Sequence, residues 1–292
     1  MTFQSTAEEF GAKDPSTVVV LSDFHGNGHA AAAAEASVRE LLAIDPAAHL
    51  VILGDLFTYG TQPIEVLDVV QRVSSLAPTW LVVGNHDEFY FPCLRAESLG
   101  GAKSLPEWIQ ESVSWSAASL GERLAELDRA EIWHRELASD GLILSHANPF
   151  GAGDWTYLRD EESTSRAAQT LRERGYGVGV FGHTHRRQAV EVRADKICRR
   201  DVSFNEEYYL DGSWVLNPGS IGQPREEDPR ASFLILRRST DSQRWTAEFK
   251  KVEYDREAHI ASIESTDLSE GTIQRLVGFH RRRESGNSRR QD

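Results

Sequence analysis

Short apolar runs alternate with helix-like stretches along most of this chain, and five of the runs end abruptly at a group of Asp, Asn or His residues. Val18-Val-Val-Leu21 leads into Ser22-Asp-Phe-His-Gly-Asn27, and Leu50-Val-Ile-Leu53 into Gly54-Asp55. Trp80-Leu-Val-Val83 leads into Gly84-Asn-His-Asp87. An Ala-rich segment from about Ala30 to Ile44 and a proline-opened segment from about Pro63 to Val73 lie between these runs. Both suit helices, since Ala has the highest helix propensity and Pro is tolerated in a first turn. Strand–helix–strand–helix–strand predicts an α/β sheet with crossover helices. In such sheets chemistry collects just beyond the C-terminal ends of the strands.

The alternation resumes further on. Leu142-Ile-Leu144 ends in Ser145-His146, a helix is expected from about Thr164 to Arg174, and Val178-Gly-Val-Phe181 ends in Gly182-His-Thr-His185. Residues 88–137 interrupt the rhythm. Trp108, Ile109, Val113, Trp115, Leu120, Leu124 and Leu127 are spaced for amphipathic helices, so a helical insertion beside the site is expected, its aromatic residues serving packing. After residue 185 the pattern turns to strands at Gln188–Arg193, Trp214–Leu216, Ser232–Leu236 and Trp245–Val252, with a turn at Asn217-Pro-Gly-Ser220 and a short helix at Arg256–Ile263. One domain over residues 1–263 is expected, followed by a basic, flexible tail over 264–292.

Asp23, His25, Asp55, Asn85, His86, His146, His183 and His185 stand at the five strand ends, and they include five of the ten histidines. Residues two apart in an extended segment face the same side, so Asp23 can share a target with His25, and His183 with His185. A neighbouring Gly (54, 84 or 182) permits a sharp turn and close backbone approach. Carboxylate, imidazole and amide donors without thiolate suit Mn, Fe, Co, Ni or Zn. Even seven such ligands exceed what one small ion needs, whereas two ions about 3.5–4 Å apart would form a clamp for displacement at phosphorus. His29, His49, His134, His259 and His280 fall off this pattern and read as ordinary histidines.

The net charge of −13 argues against a dedicated nucleic-acid binder, although the tail from Arg281 to Asp292 is locally basic. Cys93 and Cys198 form no ligand pair and are expected to be free thiols. No apolar stretch approaches the roughly 18 residues that suggest a membrane span, and the polar N-terminus lacks a secretory pattern, so a cytoplasmic location is expected.

Asp-x-His, Gly-Asp, Gly-Asn-His-Asp, a lone His and Gly-His-Thr-His, in that order, resemble the motifs of the calcineurin-like metallophosphoesterases. Ser22–Asn27, Asn217-Pro-Gly-Ser-Ile-Gly-Gln-Pro-Arg225 and Asp228-Pro-Arg-Ala-Ser232 resemble its prokaryotic diadenosine tetraphosphatase-like, or protein-phosphatase-like, branch. The resemblance spans roughly residues 17–260. It implies a four-layer α-β-β-α sandwich of two mixed β-sheets flanked by helices. It also implies two divalent metal ions, one held by Asp23, His25 and His185, the other by Asn85, His146 and His183, with Asp55 bridging. His86 would then stand near the leaving-group oxygen, oriented by Asp87, and Asn27 and Arg225 are candidate substrate contacts. The implied reaction is in-line attack of a metal-bridging hydroxide on a small phosphorylated substrate: a phosphodiester, nucleotide or dinucleoside polyphosphate.

Gly54-Asp-Leu-Phe-Thr-Tyr-Gly60 departs from the Gly-Asp-x-Val-Asp-Arg-Gly of eukaryotic-type Ser/Thr phosphatases. The missing Arg weakens a protein-phosphatase reading, and Arg225 is the candidate replacement for its phosphate grip. A metal-dependent nuclease is a further alternative, disfavoured by the acidic body. A catalytically dead scaffold is the least favoured, since every ligand position is filled.

Overall fold

Strand β1 (Thr17–Leu21) is buried along its whole length, with alternate side chains entering two different cores. Val19 and Leu21 face a helical layer, and Val18 and Val20 face a second sheet. A strand covered on both faces reads as a continuous apolar run, which is why its sequence does not alternate. The computed structural model describes residues 15–97, 105–139, 141–193, 196–200, 202–239 and 244–281.

β1 pairs in parallel with β2 (His49–Ile52), β2 with β3 (Thr79–Val82), and β3 with the two-residue β4 (Trp133–His134). On its other side β1 pairs antiparallel with β12 (Ala231–Arg238), then come β13 (Trp245–Val252) and β10 (Glu207–Tyr209), also antiparallel. The second sheet runs β5 (Glu136–Ser139), β6 (Leu142–Ser145), β7 (Val178–Phe181), β11 (Ser213–Asn217), β8 (Gln188–Arg193) and β9 (Lys196–Arg200). Within it β6, β7 and β11 are parallel and the remaining pairs antiparallel. Both sheets are therefore mixed, as expected.

Three apolar layers hold the sandwich together. Helices α1 (Gly28–Ile44) and α2 (Pro63–Leu76) cover the first sheet through Ala31, Ala34, Val38, Val66, Val70 and Val73. Val18, Val51, Trp80, Leu144, Val180 and Leu234 fill the space between the sheets. Helix α4 (Glu161–Glu173) covers the second sheet through Ala167, Ala168 and Leu171. The helices start where the sequence supplies caps. Asn27 Oδ1 accepts from the Ala30 N–H at 3.0 Å, Pro63 opens α2, and Asp160 forms a capping box with Ser163. Glu35 on α1 pairs with Arg39 and with Arg72 on α2, tying the two helices together.

The 88–137 insertion differs from expectation at its end. Its described part contains α3 (Glu107–Leu120) and several 3₁₀ turns, but the chain is strand from residue 133. Leu137 is fully buried between the sheets. Strands of two and four residues are too short for their periodicity to register in sequence. Residues 98–104 lie outside the described set.

The chain also continues in order past residue 263. After α5 (Arg256–Glu264) comes α6 (Glu270–Arg281), which buries Leu276 and Val277 against Ile260, Ile263 and Tyr59, with Trp108 and Trp115 of α3 alongside. The Trp115 indole N–H donates to Asp267 at 2.8 Å, fastening α3 to the turn before α6. Ile273, Leu276, Val277 and His280 have helical spacing, so this part of the expected tail carries its own signal in sequence. The last part of the expected tail, residues 282–292, lies outside the described set. No helix among the described residues is long and apolar enough to cross a membrane, and Cys93 and Cys198 are both free.

Leu276→Ala should cost about 2–5 kcal/mol in urea unfolding, the range for emptying a buried leucine site. Ile44→Ala, at a position 87% exposed, should change stability by no more than about 0.5 kcal/mol. Equal effects would mean that α6 is not part of the cooperative core.

Candidate metal centre

The parallel strands β1, β2 and β3 end at one edge of the first sheet, and β6 and β7 end at one edge of the second. Loops from the two sheets interlock there. The Asp23 N–H donates to Gly54 O at 3.2 Å and the His25 N–H to Asp55 O at 2.9 Å. Across the sandwich, the His183 N–H donates to Asp23 Oδ2 at 3.1 Å. The turn after β11 closes beneath them: Ser220 Oγ donates to Asp23 O at 2.8 Å and the Gly222 N–H to the same oxygen at 2.9 Å.

Two groups of ligand atoms converge at this junction. Asp23, His25, Asp55 and His185 offer atoms all within 4.8 Å of one another, and Asp55, His146 and His183 form a second group. All are buried, and Asp55 belongs to both. Asn85 Oδ1 is buried without a hydrogen-bond partner, as is Asp23 Oδ1. A stranded buried acceptor is costly unless something binds it, so both atoms fit the role of metal ligand.

The imidazoles show the same preparation. His25 Nδ1 faces Phe57 O at 3.1 Å, His185 Nδ1 faces Gln223 O at 2.9 Å, and His183 Nε2 faces Trp155 O at 3.0 Å. His146 Nδ1 is bonded to Leu53 O. A carbonyl can only accept, so each of these ring nitrogens carries the proton and the other nitrogen presents a lone pair. Those second nitrogens point at one another: His25 Nε2 is 3.0 Å from His185 Nε2, and His146 Nε2 is 3.2 Å from His183 Nδ1. Anchoring one nitrogen and aiming the other is the arrangement by which proteins orient metal-binding histidines.

The electrostatics follow from burial. Desolvation pushes the Asp23 carboxyl up to about 7 and drives His25, His183 and His185 well below the ordinary histidine range. Burial would also raise Asp55, but the charges of His146, His86 and His25 outweigh it and hold that carboxyl well below its usual range. For His146 burial acts downward, yet Asp55 and Asp23 lift it to about 10. Buried carboxylates beside neutral His25, His183 and His185 form a donor set that favours a divalent cation, which would take the place of the proton that Asp55 and Asp23 hold on His146.

Asp23 and His25 share a ligand group as their spacing predicts, whereas His183 and His185 fall in different groups, and the backbone delivers all four by a route other than the expected one. Asp23, His25, Asp55, His183 and His185 all adopt positive φ, between 44° and 63°. They are left-handed residues in tight loops, not members of extended segments. Such conformations cluster where function demands them. Of the three flanking glycines only Gly54 has positive φ. Gly182 serves close approach instead: a Cβ there would overlap Ser22 Oγ and lie 2.8 Å from Asp23 Oδ2.

Two further expectations need correction. Asp87 does not bond the His86 ring. Its carboxylate accepts from the backbone N–H groups of Asp55 (2.8 Å), Gly84 (2.8 Å) and Leu56 (3.1 Å), so it binds the β2 and β3 loops together. Asn27 is fully buried, with Oδ1 capping α1 and Nδ2 donating to Gly222 O at 2.9 Å, which leaves nothing for substrate. Arg225 does lie beside the centre: its backbone N–H donates to His185 O at 3.0 Å, and its charge acts on Asp23, His25, His86 and His185.

His86 is buried near the centre, with its backbone N–H on Asp55 Oδ1 at 2.8 Å and its Nε2 3.0 Å from the Tyr59 hydroxyl. Burial lowers its pKa to about 4. Tyr59 was not foreseen, and neither was Tyr157, whose ring stacks on His183 at 4.1 Å. Nothing local marks either one, because each reaches the centre through a loop path that sequence spacing does not reveal. The five histidines off the pattern belong to neither ligand group.

A model of the calcineurin-like phosphoesterase superfamily domain matches residues 17–241. An uncharacterised protein of Methanocaldococcus jannaschii is 27% identical over 264 residues, which is 89% of this chain and 97% of that protein. The crystal structure of a metallophosphoesterase from Sphaerobacter thermophilus is 26% identical, with a TM-score of 0.63 over 89% of this chain and 98% of that one. A hypothetical protein of Pyrococcus horikoshii, 18% identical, shares the fold with a TM-score of 0.66 over 89% and 97% of the two chains.

Gly182→Ala should weaken divalent-metal affinity about tenfold or more, because it displaces Asp23 and Ser22, whereas Gly271→Ala, with open space around it, should not. Calorimetric titration of the metal-stripped proteins checks this, and unchanged affinity in the Gly182 variant would contradict the packing described.

Proposed function

The chain belongs to the calcineurin-like phosphoesterase superfamily, and from that premise we infer that its two ligand groups hold two divalent ions acting together on a small phosphate ester. The coarser statement, a metal-dependent phosphoesterase, rests on the family and on the buried Asp and His clusters. The observation that carries the finer reading is Asp55, whose carboxylate belongs to both clusters. Asp23, His25 and His185 would complete one ion's ligands, and Asn85, His146 and His183 the other's. Ions bound there supply an activated water and neutralise charge on the phosphate. Candidate substrates are a phosphodiester, a nucleotide or a dinucleoside polyphosphate.

The remaining work falls to the protein's own groups. The carbonyls of Phe57, Gln223, Leu53 and Trp155 hold the four imidazoles at fixed rotation, so little reorganisation accompanies reaction. His86 stands beside the ligand groups without belonging to either. Its buried ring presents one nitrogen to Tyr59, while Nδ1 has no hydrogen-bond partner. A group so placed can supply a proton or a hydrogen bond to the departing oxygen.

His86→Ala should therefore lower turnover by roughly 10²–10⁴-fold on esters with poor alkyl leaving groups, and much less on nitrophenyl esters. Metal content by mass spectrometry should stay at the wild-type level. Loss of metal in this variant would make His86 a ligand and contradict the assignment.

A further inference from the structure

His183 is held differently from the other three imidazoles. His25, His146 and His185 anchor Nδ1 on the carbonyls of Phe57, Leu53 and Gln223, all buried residues, and face Nε2 inward. His183 is turned the other way: its Nε2 is anchored on Trp155 O at 3.0 Å, and its Nδ1 faces His146 Nε2 at 3.2 Å. The far end of this ring therefore points away from the ligand group, into the loop of residues 146–160 between β6 and α4. Trp155, on that loop, is only half-buried. Rotation about the Cβ–Cγ bond of a histidine is soft, so a single hydrogen bond from such a loop fixes the aim of Nδ1 poorly.

Tyr157 supplies the missing constraint. Its ring lies on the His183 ring with centroids 4.1 Å apart and planes 13° from parallel. The guanidinium carbon of Arg159 sits 3.9 Å from the Tyr157 centroid. Two groups that close to one ring cannot share a face, so Tyr157 is clasped between the imidazole and the guanidinium. The segment that carries it is itself tied down. Asn148 Nδ2 donates to Asp154 O at 2.9 Å and to Thr156 O at 3.0 Å, and Leu158 belongs to the apolar layer of Ala167, Ala168 and Leu171. Tyr157 itself is 39% exposed, so little of the core depends on it, and what its ring covers is a ligand. The other ligand group owes nothing to this loop: His25 and His185 take their anchors from Phe57 and Gln223.

We propose that Tyr157 is a positioning residue for one metal ion only: by stacking on His183 it fixes the rotation that aims Nδ1 inward, so that cation binding by the Asp55, His146 and His183 group depends on a surface loop while binding by the Asp23, His25, Asp55 and His185 group does not. The inference rests on the two-ion reading above and makes the two ions unequal.

The test is a calorimetric titration with Mn²⁺ of metal-stripped wild type, Tyr157→Ala, Tyr157→Leu and Tyr157→Phe. Leu keeps bulk without a flat face and serves should the Ala variant fail to fold; Phe keeps the stack. Wild type should bind in two steps. The Ala and Leu variants should weaken one step about tenfold or more and leave the other within about twofold, while the Phe variant titrates as wild type. Hydrolysis of a chromogenic phosphodiester by the Ala variant should fall at limiting Mn²⁺ and recover at saturating Mn²⁺ with KM unchanged. Two unchanged steps, or two steps weakened alike, would overturn the proposal and leave the two-ion reading intact. A raised KM that excess Mn²⁺ does not lower would also overturn it, because Tyr157 would then be a substrate contact. A wild type that binds one equivalent in all would defeat the two-ion reading and, with it, the claim that Tyr157 serves one ion of two.

Discussion

Everything at the centre depends on keeping several carboxylates and imidazoles dry at a single point. An unpaired buried charge is among the most destabilising features a fold can contain. This chain offsets that cost with backbone. Carbonyls take one nitrogen of each of the four imidazoles, and three N–H groups take the carboxylate of Asp87. Asp23 Oδ1 and Asn85 Oδ1 are left buried without a hydrogen-bond partner. Those are the atoms a cation would satisfy.

The layered fold makes this possible because both sheets send parallel strands toward the same junction. The loops that leave β1, β2 and β7 turn at once, through left-handed residues at 23, 25, 55, 183 and 185. The apolar layers on either side absorb that strain, since the interior strands are held on both faces and cannot relax. Stability in the body and strain in the loops are thus two aspects of one design: rigid strands allow ligands to be held in conformations that a flexible segment would abandon.

Much of this was legible in sequence. Apolar runs that stop at Asp55, Asn85, His146 and His183 reported both the strands and the buried polar cluster at their ends, because a buried strand and a polar terminus leave clear marks. Roles that depend on cross-chain geometry did not show. Asp87 sits next to His86 in sequence yet serves the backbone of residues 55, 56 and 84. Asn27 shares a motif with Asp23 and His25 yet is spent on capping α1. Tyr59 gave no signal because its place beside His86 arises from a loop held by α3 and α6. β4 and β5 were hidden by their brevity. α6 has helical spacing, but the basic residues that follow it give the stretch the composition of a solvated tail.

The most direct test of the two-ion account is a stoichiometric titration of metal-stripped protein with Mn²⁺, with hydrolysis of a chromogenic phosphodiester recorded at each step. The account predicts negligible hydrolysis with no metal and a rise that completes only as the second equivalent binds. Full activity at one equivalent, or hydrolysis that ignores added metal, would contradict a centre built around a shared Asp55.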